Sequence, residues 1–343
     1  MKNYQNVITA DRVDALEIDS LPKGEFSRMF VGLVESGMGT SIRVPVVVAR
    51  GKKDGPIFGV TAALHGNELN GIPVIHQLLH NLNLKTLKGT IVAVIVANIP
   101  GLLTEQREFN DGVDLNHIMP GIANGNQSQV YAYEFTQRVS NHFDYLVDLH
   151  TASEGRVNSL YVRADMSQEV TAQMAYVLRP QIVLHDPPSD YTLRGTLAEQ
   201  NKPAITVEIR DPQRFQTDSV NRSITGLRRI LSHIGMIPGK KHPLPDPPIL
   251  CSRSYWLYTD RGGLLSVLPP VKDIVEKGEL IAKQINVFGD VIREYHAPER
   301  GVIIGRSVNP VSQTGSRIVH LGVLMTDDER TKLVRVSDGV VKA

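Results

Sequence analysis

A histidine followed three residues later by an acidic residue is the simplest metal-binding pattern in this sequence, and it occurs twice. The two pairs are His65 with Glu68 and His296 with Glu299. With 11 histidines and 36 acidic residues among 343 positions, chance alone supplies such a pair. The surroundings differ, because His65 stands where an apolar run gives way to helical spacing, and ligand crevices form at that edge of an α/β sheet. We therefore take His65 and Glu68 as candidate metal ligands and His296 as a structural residue of a turn.

A catalytic zinc ion usually takes three protein ligands and leaves a fourth position for water, so a third ligand is required. His150 is the best candidate, since it ends the apolar run 145–149. Asp148 is on the same face of this predicted strand and is placed to orient a ligand imidazole. The single cysteine, Cys251, excludes a cysteine-rich zinc cage. The alternative is a buried histidine whose hydrogen bonds are satisfied beside a capping aspartate.

Metal-assisted hydrolysis also needs a base that takes a proton from the attacking water. Glu208 fits this role because it lies within the apolar strand-like run 203–209, where an unpaired carboxylate is costly. The alternative is a structural ion pair between Glu208 and Arg210, two residues further on.

A long segment without periodicity, residues 98–121, is predicted to be a loop, and loops of this length are usually functional. Arg107 in this loop has the chemistry to polarise a carbonyl or hold an oxyanion. Asn116 has the chemistry to bind a polar group of a substrate. Taken singly, each is more typical of a solvated or turn residue.

The elements that must position these residues alternate between strands and helices. Strand-like runs lie at residues 28–35, 42–48, 57–64, 91–97, 145–149 and 204–209, and helical spacing lies at 72–82, 132–139, 170–177 and 220–234. Asn67 is the predicted N-cap of the first helix. This alternation predicts an α/β architecture with helices on both faces of a sheet.

Five prolines between residues 237 and 248 predict a domain boundary near residue 245, which divides the chain into domains at 1–245 and 246–343. Short β-type runs follow, and those at 263–278 and 301–315 form a weak internal repeat. Two similar halves predict a small all-β sandwich or barrel like that of biotinyl and lipoyl carrier domains. Since no Met-Lys-Met motif is present, we interpret this region as a structural or lid module.

Composition restricts the classes of function. The chain of 343 residues has a net charge of +1, which gives it no excess of basic side chains for binding nucleic acid or anionic lipid. No segment approaches the 18 or more apolar residues that a membrane span requires, and no secretory peptide is recognisable at the N-terminus. We therefore expect a folded, cytoplasmic protein whose partners include neither nucleic acid nor membrane.

Five short motifs occur together in one order along the chain. They are His65-Gly66-Asn67-Glu68, Asn98-Ile99-Pro100-Gly101, Arg107 followed by Asp114-Leu115-Asn116-His117-Ile118-Met119-Pro120-Gly121, Asp148-Leu149-His150, and Thr206-Val207-Glu208. In this order they resemble the succinylglutamate desuccinylase/aspartoacylase family, relatives of the zinc carboxypeptidases. The resemblance covers about residues 55–210, and the β-type tail is similar to the small C-terminal domain of that family.

The resemblance implies a carboxypeptidase-like mixed β-sheet flanked by helices and one zinc ion per chain. It implies that the ion is held by His65, Glu68 and His150. It further implies that Glu208 is the general base, that Arg107 lies near the scissile carbonyl, and that an N-acyl amide is hydrolysed to an amine and a carboxylate.

Two residues depart from the family pattern. His117 stands where the family usually has an arginine that grips a substrate carboxylate, and an imidazole is a weaker, pH-dependent anion partner. Arg210 stands where family members tend to have glycine. We hypothesise that Arg210 lies on the same strand face as Glu208 and supplies the missing cation.

Three functions remain open on the sequence alone. The first is a zinc amidohydrolase that deacylates a small N-acylated amino acid or amine. The second is a carboxypeptidase acting on short peptides, which the loss of the carboxylate-gripping arginine disfavours. The third is a non-catalytic binding protein that keeps the fold. A homo-oligomer is compatible with each of them.

Overall fold

A large mixed β-sheet runs through the computed structural model, which describes residues 10–189, 191–239 and 245–333. Within those residues, 14 strands form this sheet and four antiparallel strands form a second, smaller one. The strands are β1 (Asp11–Val13), β2 (Phe26–Glu35), β3 (Ser41–Arg50), β4 (Lys53–Ala62), β5 (Lys88–Val94), β6 (Tyr145–His150), β7 (Arg156–Asn158), β8 (Leu160–Ala164), β9 (Ile182–His185), β10 (Ala204–Ile209), β11 (Ile249–Tyr258), β12 (Gly263–Val267), β13 (Ile274–Val275), β14 (Leu280–Ile285), β15 (Val291–His296), β16 (Gly301–Ser307), β17 (Val311–Ser312) and β18 (Arg317–Leu324). The helices are α1 (Gly71–His80), α2 (Ile99–Leu103), α3 (Gln127–Arg138), α4 (Glu169–Leu178), α5 (Leu193–Glu199), α6 (Thr217–His233) and α7 (Asp327–Leu333), with short 3-10 turns at Ile18–Ser20, Leu115–His117 and Ser140–His142.

The centre of the large sheet is parallel. Strands β5, β4, β6 and β10 are neighbours in that order, and each adjacent pair is parallel. Their apolar runs are nearly continuous because both faces of the sheet are covered, as is typical of central parallel strands. Their carboxyl ends consequently meet at one edge, the position where open α/β sheets bind ligands.

Helices cover both faces, as the alternation predicted. Helices α1, α4 and α6 pack with one face of the sheet in one apolar core, and α3 and α5 pack in a second core that contains the other face. Helix α6 buries Val220, Ile224, Leu227 and Leu231, the spacing of three and four that a one-sided apolar helix requires. The predicted fold class, a mixed sheet flanked by helices with a C-terminal β region, is confirmed.

The C-terminal strands extend the large sheet as well as forming the small one. Strand β11 pairs with β9 in parallel and with β18 in antiparallel orientation, and β18 then pairs with β16. The small sheet has the order β15-β14-β12-β17. The two halves of the weak repeat pair with each other, since β12 pairs with β17 and β13 pairs with β16.

The predicted boundary near residue 245 borders residues 240–244, which lie outside the described residues, and the division at 245 stays a prediction. No helix of the described ranges combines the length and the apolar character that a membrane crossing requires.

Candidate metal centre and cleft

Three neighbouring strand ends deliver the candidate ligands and base to one edge of the sheet. His65 and Glu68 follow β4, His150 ends β6, and Glu208 lies near the end of β10. His65 and Glu68 lie in a turn, in which the Glu68 amide donates to the His65 carbonyl at 3.1 Å, and helix α1 begins only at Gly71. Asn67 is therefore not the N-cap, and that prediction is wrong.

A glycine in this turn lets a second loop approach closely. A Cβ on Gly66 would lie 1.9 Å from the carbonyl carbon of Gly101 in α2, so no larger residue fits. The Gly66 amide also donates to the carbonyl oxygen of Arg107 at 3.4 Å. The loop that carries Arg107 is thereby held against the turn that carries His65.

The side chains of His65, Glu68 and His150 form a compact buried cluster. Their potential ligand atoms all lie within 4.8 Å of one another, and the three residues are 2%, 1% and 3% exposed. His65 Nδ1 lies 2.9 Å from Glu68 Oε1, and His150 Nδ1 lies 3.0 Å from Glu68 Oε2. The two Nδ1 atoms are 3.1 Å apart. The structure thus brings together the three residues that the sequence predicted as metal ligands.

Two aspartates fix the protonation of these imidazoles. His65 Nε2 donates to Asp114 Oδ1 at 3.1 Å, and His150 Nε2 donates to Asp148 Oδ2 at 2.7 Å. Because a carboxylate only accepts, each Nε2 carries a proton, and each ring in its neutral form directs the Nδ1 lone pair into the cluster. Two lone pairs and a carboxylate that face one point repel one another, and a cation shared between them relieves this repulsion. The donor set therefore fits a divalent metal, and Asp148 is hydrogen-bonded to the outer nitrogen of His150.

The electrostatics of the cluster also favour positive charge. Burial alone would lower the pKa of His150, but the carboxylates of Asp148 and Glu68 hold it well above its usual range. Burial would raise the pKa of Glu68, yet the neighbouring His65 and His150 hold it well below its usual range. A proton and a metal ion therefore compete for the same atoms.

Arg107 lies directly beside the cluster. Its Nη1 donates to Glu68 Oε1 and to Ser153 Oγ, both at 2.9 Å, and also lies 3.1 Å from His65 Nδ1. Its Nε donates to Asp114 Oδ2 at 2.9 Å. A guanidinium held by this many partners is a fixed positive charge at the cluster.

Glu208 stands next to His150 on the neighbouring parallel strand, in direct register. Its Oε2 accepts from Asn158 Nδ2 at 3.3 Å, and its Oε1 lies 3.7 Å from Arg163 Nε. Burial, followed by the charge of Glu68, raises the pKa of Glu208. The sequence analysis left open an ion pair between Glu208 and Arg210. In the described residues the arginine near Glu208 is Arg163, at the 3.7 Å given above.

The predicted substrate residues differ in their surroundings. Asn116 lines the cleft, but its side-chain oxygen accepts from the Leu193 amide at 2.9 Å, which anchors the loop. The side chain of His117 also lines the cleft and is 73% exposed. Arg210 lies one residue past the end of β10 with φ of 57° and does not line the cleft, so it does not share a strand face with Glu208. The prediction that Arg210 supplies a cation there is corrected by this backbone turn.

The cleft around the cluster has a volume of about 370 Å³. The sequence analysis did not predict several of the residues that line it. Arg163 was detectable, because it is a charged residue within the apolar strand β8. Trp256 and His320 come from β11 and β18, and the sequence gave no signal that these distant strands reach the site. The further residues not predicted as part of the site include Ser153, Arg156, Asn158, Tyr161, Asp186, Arg194 and Arg317.

Comparison with known proteins agrees with this geometry. The sequence model described as the succinylglutamate desuccinylase/aspartoacylase catalytic domain matches residues 54–234, which is more than half of the chain. The chain belongs to the succinylglutamate desuccinylase/aspartoacylase family. The matched residues of this family member include the cluster, Arg107 and Glu208, and the predicted resemblance is confirmed.

Individual relatives match over most of their length. The chain is 24% identical over 305 residues to an N-alpha-acetyl-L-2,4-diaminobutyric acid deacetylase of Halomonas elongata, covering 84% of this chain and 88% of that protein. It is similar to the product-bound structure of the ectoine utilization protein EutE (DoeB) from Ruegeria pomeroyi, with a TM-score of 0.79, 20% identity and coverage of 89% and 98%. A succinylglutamate desuccinylase from Silicibacter sp. TM1040 gives a TM-score of 0.78 at 20% identity, with the same coverage. These structures share the fold of this chain.

Proposed function

We propose that this protein is a zinc-dependent amidohydrolase that removes the acyl group from a small N-acylated amino acid or amine. The observation that carries the proposal is the pair of imidazoles, His65 and His150, whose Nδ1 atoms converge with the Glu68 carboxylate on one point beside the partly buried Glu208. The Halomonas elongata relative, whose name describes deacetylation of an N-acetylated amino acid, supports the substrate class.

The ion would be held by Nδ1 of His65, Nδ1 of His150 and the carboxylate of Glu68. When bound there, zinc supplies Lewis-acid chemistry, which lowers the pKa of a water molecule and polarises a carbonyl. The amide of Thr151 donates to Glu68 Oε2 at 2.9 Å and keeps this carboxylate in place.

Glu208 is the cleft carboxylate best placed to move a proton. Among the carboxylates that line the cleft in the described residues, Glu68 contacts both imidazoles, Asp114 contacts His65 and Arg107, and Asp186 contacts two arginines. Among the residues that the structure describes, Glu208 makes only the two long contacts with Asn158 and Arg163. Its raised pKa brings this base closer to neutral pH, where general-base catalysis is most efficient.

In the reaction, Glu208 accepts a proton from the attacking water and returns it to the amide nitrogen. The water oxygen forms a bond to the acyl carbon, the carbon–nitrogen bond breaks, and the amine leaves. The guanidinium of Arg107 stabilises the negative charge that develops on the carbonyl oxygen.

Metal analysis and a substrate panel test the proposal together. Protein purified without chelator should contain about one zinc per chain, and it should hydrolyse members of a panel of N-acetyl and N-succinyl amino acids. His65→Ala should lose the zinc. His296→Ala is the matched control, because it has the same spacing to a glutamate but lies at the exposed end of β15. It should keep the zinc.

Glu208→Gln separates the base from the metal. It should retain zinc and lose about 10²- to 10⁴-fold in kcat, the usual contribution of a positioned proton carrier. Metal-free wild-type protein, or a Glu208→Gln variant of full activity, would overturn the proposal. Cleavage restricted to the C-terminal residue of short peptides would replace it with a carboxypeptidase.

A further inference from the structure

The C-terminal strands provide one wall of the cleft, and this wall carries positive charge. Trp256 on β11 and Arg317 on β18 line the cleft together with Arg156 on β7. Strand β7 itself pairs with β16, so the C-terminal region holds this wall as one unit.

A stack of rings holds the two arginines. Trp256 and His320 lie parallel, with ring centres 5.0 Å apart and an interplanar angle of 10°. The Cζ atoms of Arg156 and Arg317 lie 5.7 Å and 5.2 Å from the centre of the Trp256 ring, within the range of a cation–π interaction. His320 is buried, and this burial together with the nearby Arg163 and Arg317 holds its pKa well below its usual range. The base of the stack is therefore neutral.

These two arginines differ from the other arginines of the cleft in having no acidic partner in the part of the chain that the structure describes. Arg107 pairs with Glu68 and Asp114, whereas Arg163 and Arg194 both pair with Asp186. Within the described residues, no carboxylate oxygen lies within 4.0 Å of a guanidinium nitrogen of Arg156 or Arg317. Two cations that lie over one ring and line a polar cleft, with no acidic partner among the described residues, form a site for an anion.

The site lies close to the reacting groups. Arg156 and Asn158 are two residues apart on β7, so their side chains share a face about 7 Å apart. Asn158 is the residue that donates to Glu208. A substrate whose amide is at Glu208 therefore places a group a few bonds away near Arg156.

We infer that Arg156 and Arg317, held over Trp256, bind a carboxylate of the N-acylated substrate and select anionic substrates over neutral N-acyl amines. This inference rests on the proposed deacylase function. The carboxylate belongs either to the amino acid that is released or to a dicarboxylic acyl group, since both place the same anion near the scissile amide.

Substrate pairs that differ by one charge test the inference. In the first pair, an N-acetyl amino acid is compared with the compound in which its α-carboxylate is a primary amide. In the second pair, an N-succinyl amine is compared with the compound in which the free carboxylate of the succinyl group is a primary amide. Wild-type protein should prefer one acid to its amide by at least about tenfold in kcat/KM, and that pair identifies the source of the carboxylate.

Arg317→Gln and Arg156→Gln should each raise KM for the preferred acid about 10- to 50-fold, because a charge-assisted hydrogen bond is lost, and should change KM for its amide less than about twofold. Arg317→Lys should restore part of the loss. Arg293→Gln is the matched control, since Arg293 also lies over an aromatic ring, 5.9 Å from Tyr295, but pairs with Asp260 outside the cleft.

The outcomes separate this inference from the proposed function. Equal effects on the acid and its amide, or no effect on either, would overturn the anion site while leaving a working deacylase. If the wild-type protein hydrolyses each acid no better than its amide, this result alone would also overturn the anion site. No hydrolysis of any substrate by zinc-loaded wild-type protein would overturn the proposed function itself.

Discussion

Replacing Asp148 by asparagine tests whether the outer hydrogen bonds set the metal affinity. Asp148 is 1% exposed, and its two oxygens accept from Thr61 Oγ1 at 2.6 Å and from His150 Nε2 at 2.7 Å. Asparagine keeps the shape but has only one accepting atom. If that oxygen stays with Thr61, the amide NH₂ faces His150 Nε2. The ring must then move its proton to Nδ1 and lose the lone pair that it directs into the cluster.

The magnitude follows from the burial of the pair. A charge-assisted hydrogen bond contributes about 1.5 to 3 kcal/mol, and solvent does not screen a pair this deeply buried. At about 1.4 kcal/mol per decade, zinc Kd should rise about 10- to 100-fold. Competition with a chelator of known affinity measures Kd, and kcat at saturating zinc shows whether the loaded site still works.

Thr61→Val is the matched control. It removes the hydroxyl that donates to the other oxygen of Asp148 but leaves the contact with His150, so zinc Kd should change less than in Asp148→Asn. A zinc Kd within about twofold of wild type in Asp148→Asn would refute the reasoning, because His150 would then not depend on its carboxylate partner.

Two further predictions concern pH and packing. Since burial and Glu68 raise the pKa of Glu208 above its usual 4.5, and the base must be ionised, kcat/KM should fall with decreasing pH at a value above 4.5. Arg163 lowers the pKa of Glu208, so Arg163→Gln should move this fall in kcat/KM to higher pH. A fall at the same or a lower pH would contradict the assignment of Glu208 as the base. Gly59→Ala places a Cβ 2.3 Å from the buried Phe143 ring and should lower the free energy of unfolding by about 1 to 3 kcal/mol in chemical denaturation. Gly37→Ala meets no atom within 4 Å and should change it by less than about 0.5 kcal/mol; equal effects would show that the contact with Phe143 is not strained.

Local patterns were sufficient to predict the elements that position the cluster. The run at 204–209 was predicted with the bounds that β10 has, because a short apolar run between a proline and an arginine indicates both the length and the burial of a strand. The end of an apolar strand also revealed His150 and Asp148, since a polar residue that terminates a buried strand is delivered to the sheet edge.

The wrong or missing predictions came from backbone turns and from the pairing of distant strands. Asn67 was a reasonable cap by residue type, but the chain forms a separate turn before α1. The N-cap position is Asn70, whose side-chain amide donates to the carbonyl of Ile209. The prediction that Arg210 shares a strand face with Glu208 was wrong, because the strand ends at Ile209 and the backbone turns at Arg210. Trp256 and Arg317 depend on pairing between β11, β9 and β18, and no local pattern specifies which distant strands pair.

The shared metal ion is the central claim, and an anomalous-difference map tests it most directly. Crystals of the zinc-loaded protein, measured on both sides of the zinc absorption edge, should show one peak about 2.0 to 2.2 Å from His65 Nδ1, His150 Nδ1 and a Glu68 oxygen. A map without a peak at this position, or with the zinc bound through other residues, would contradict the account.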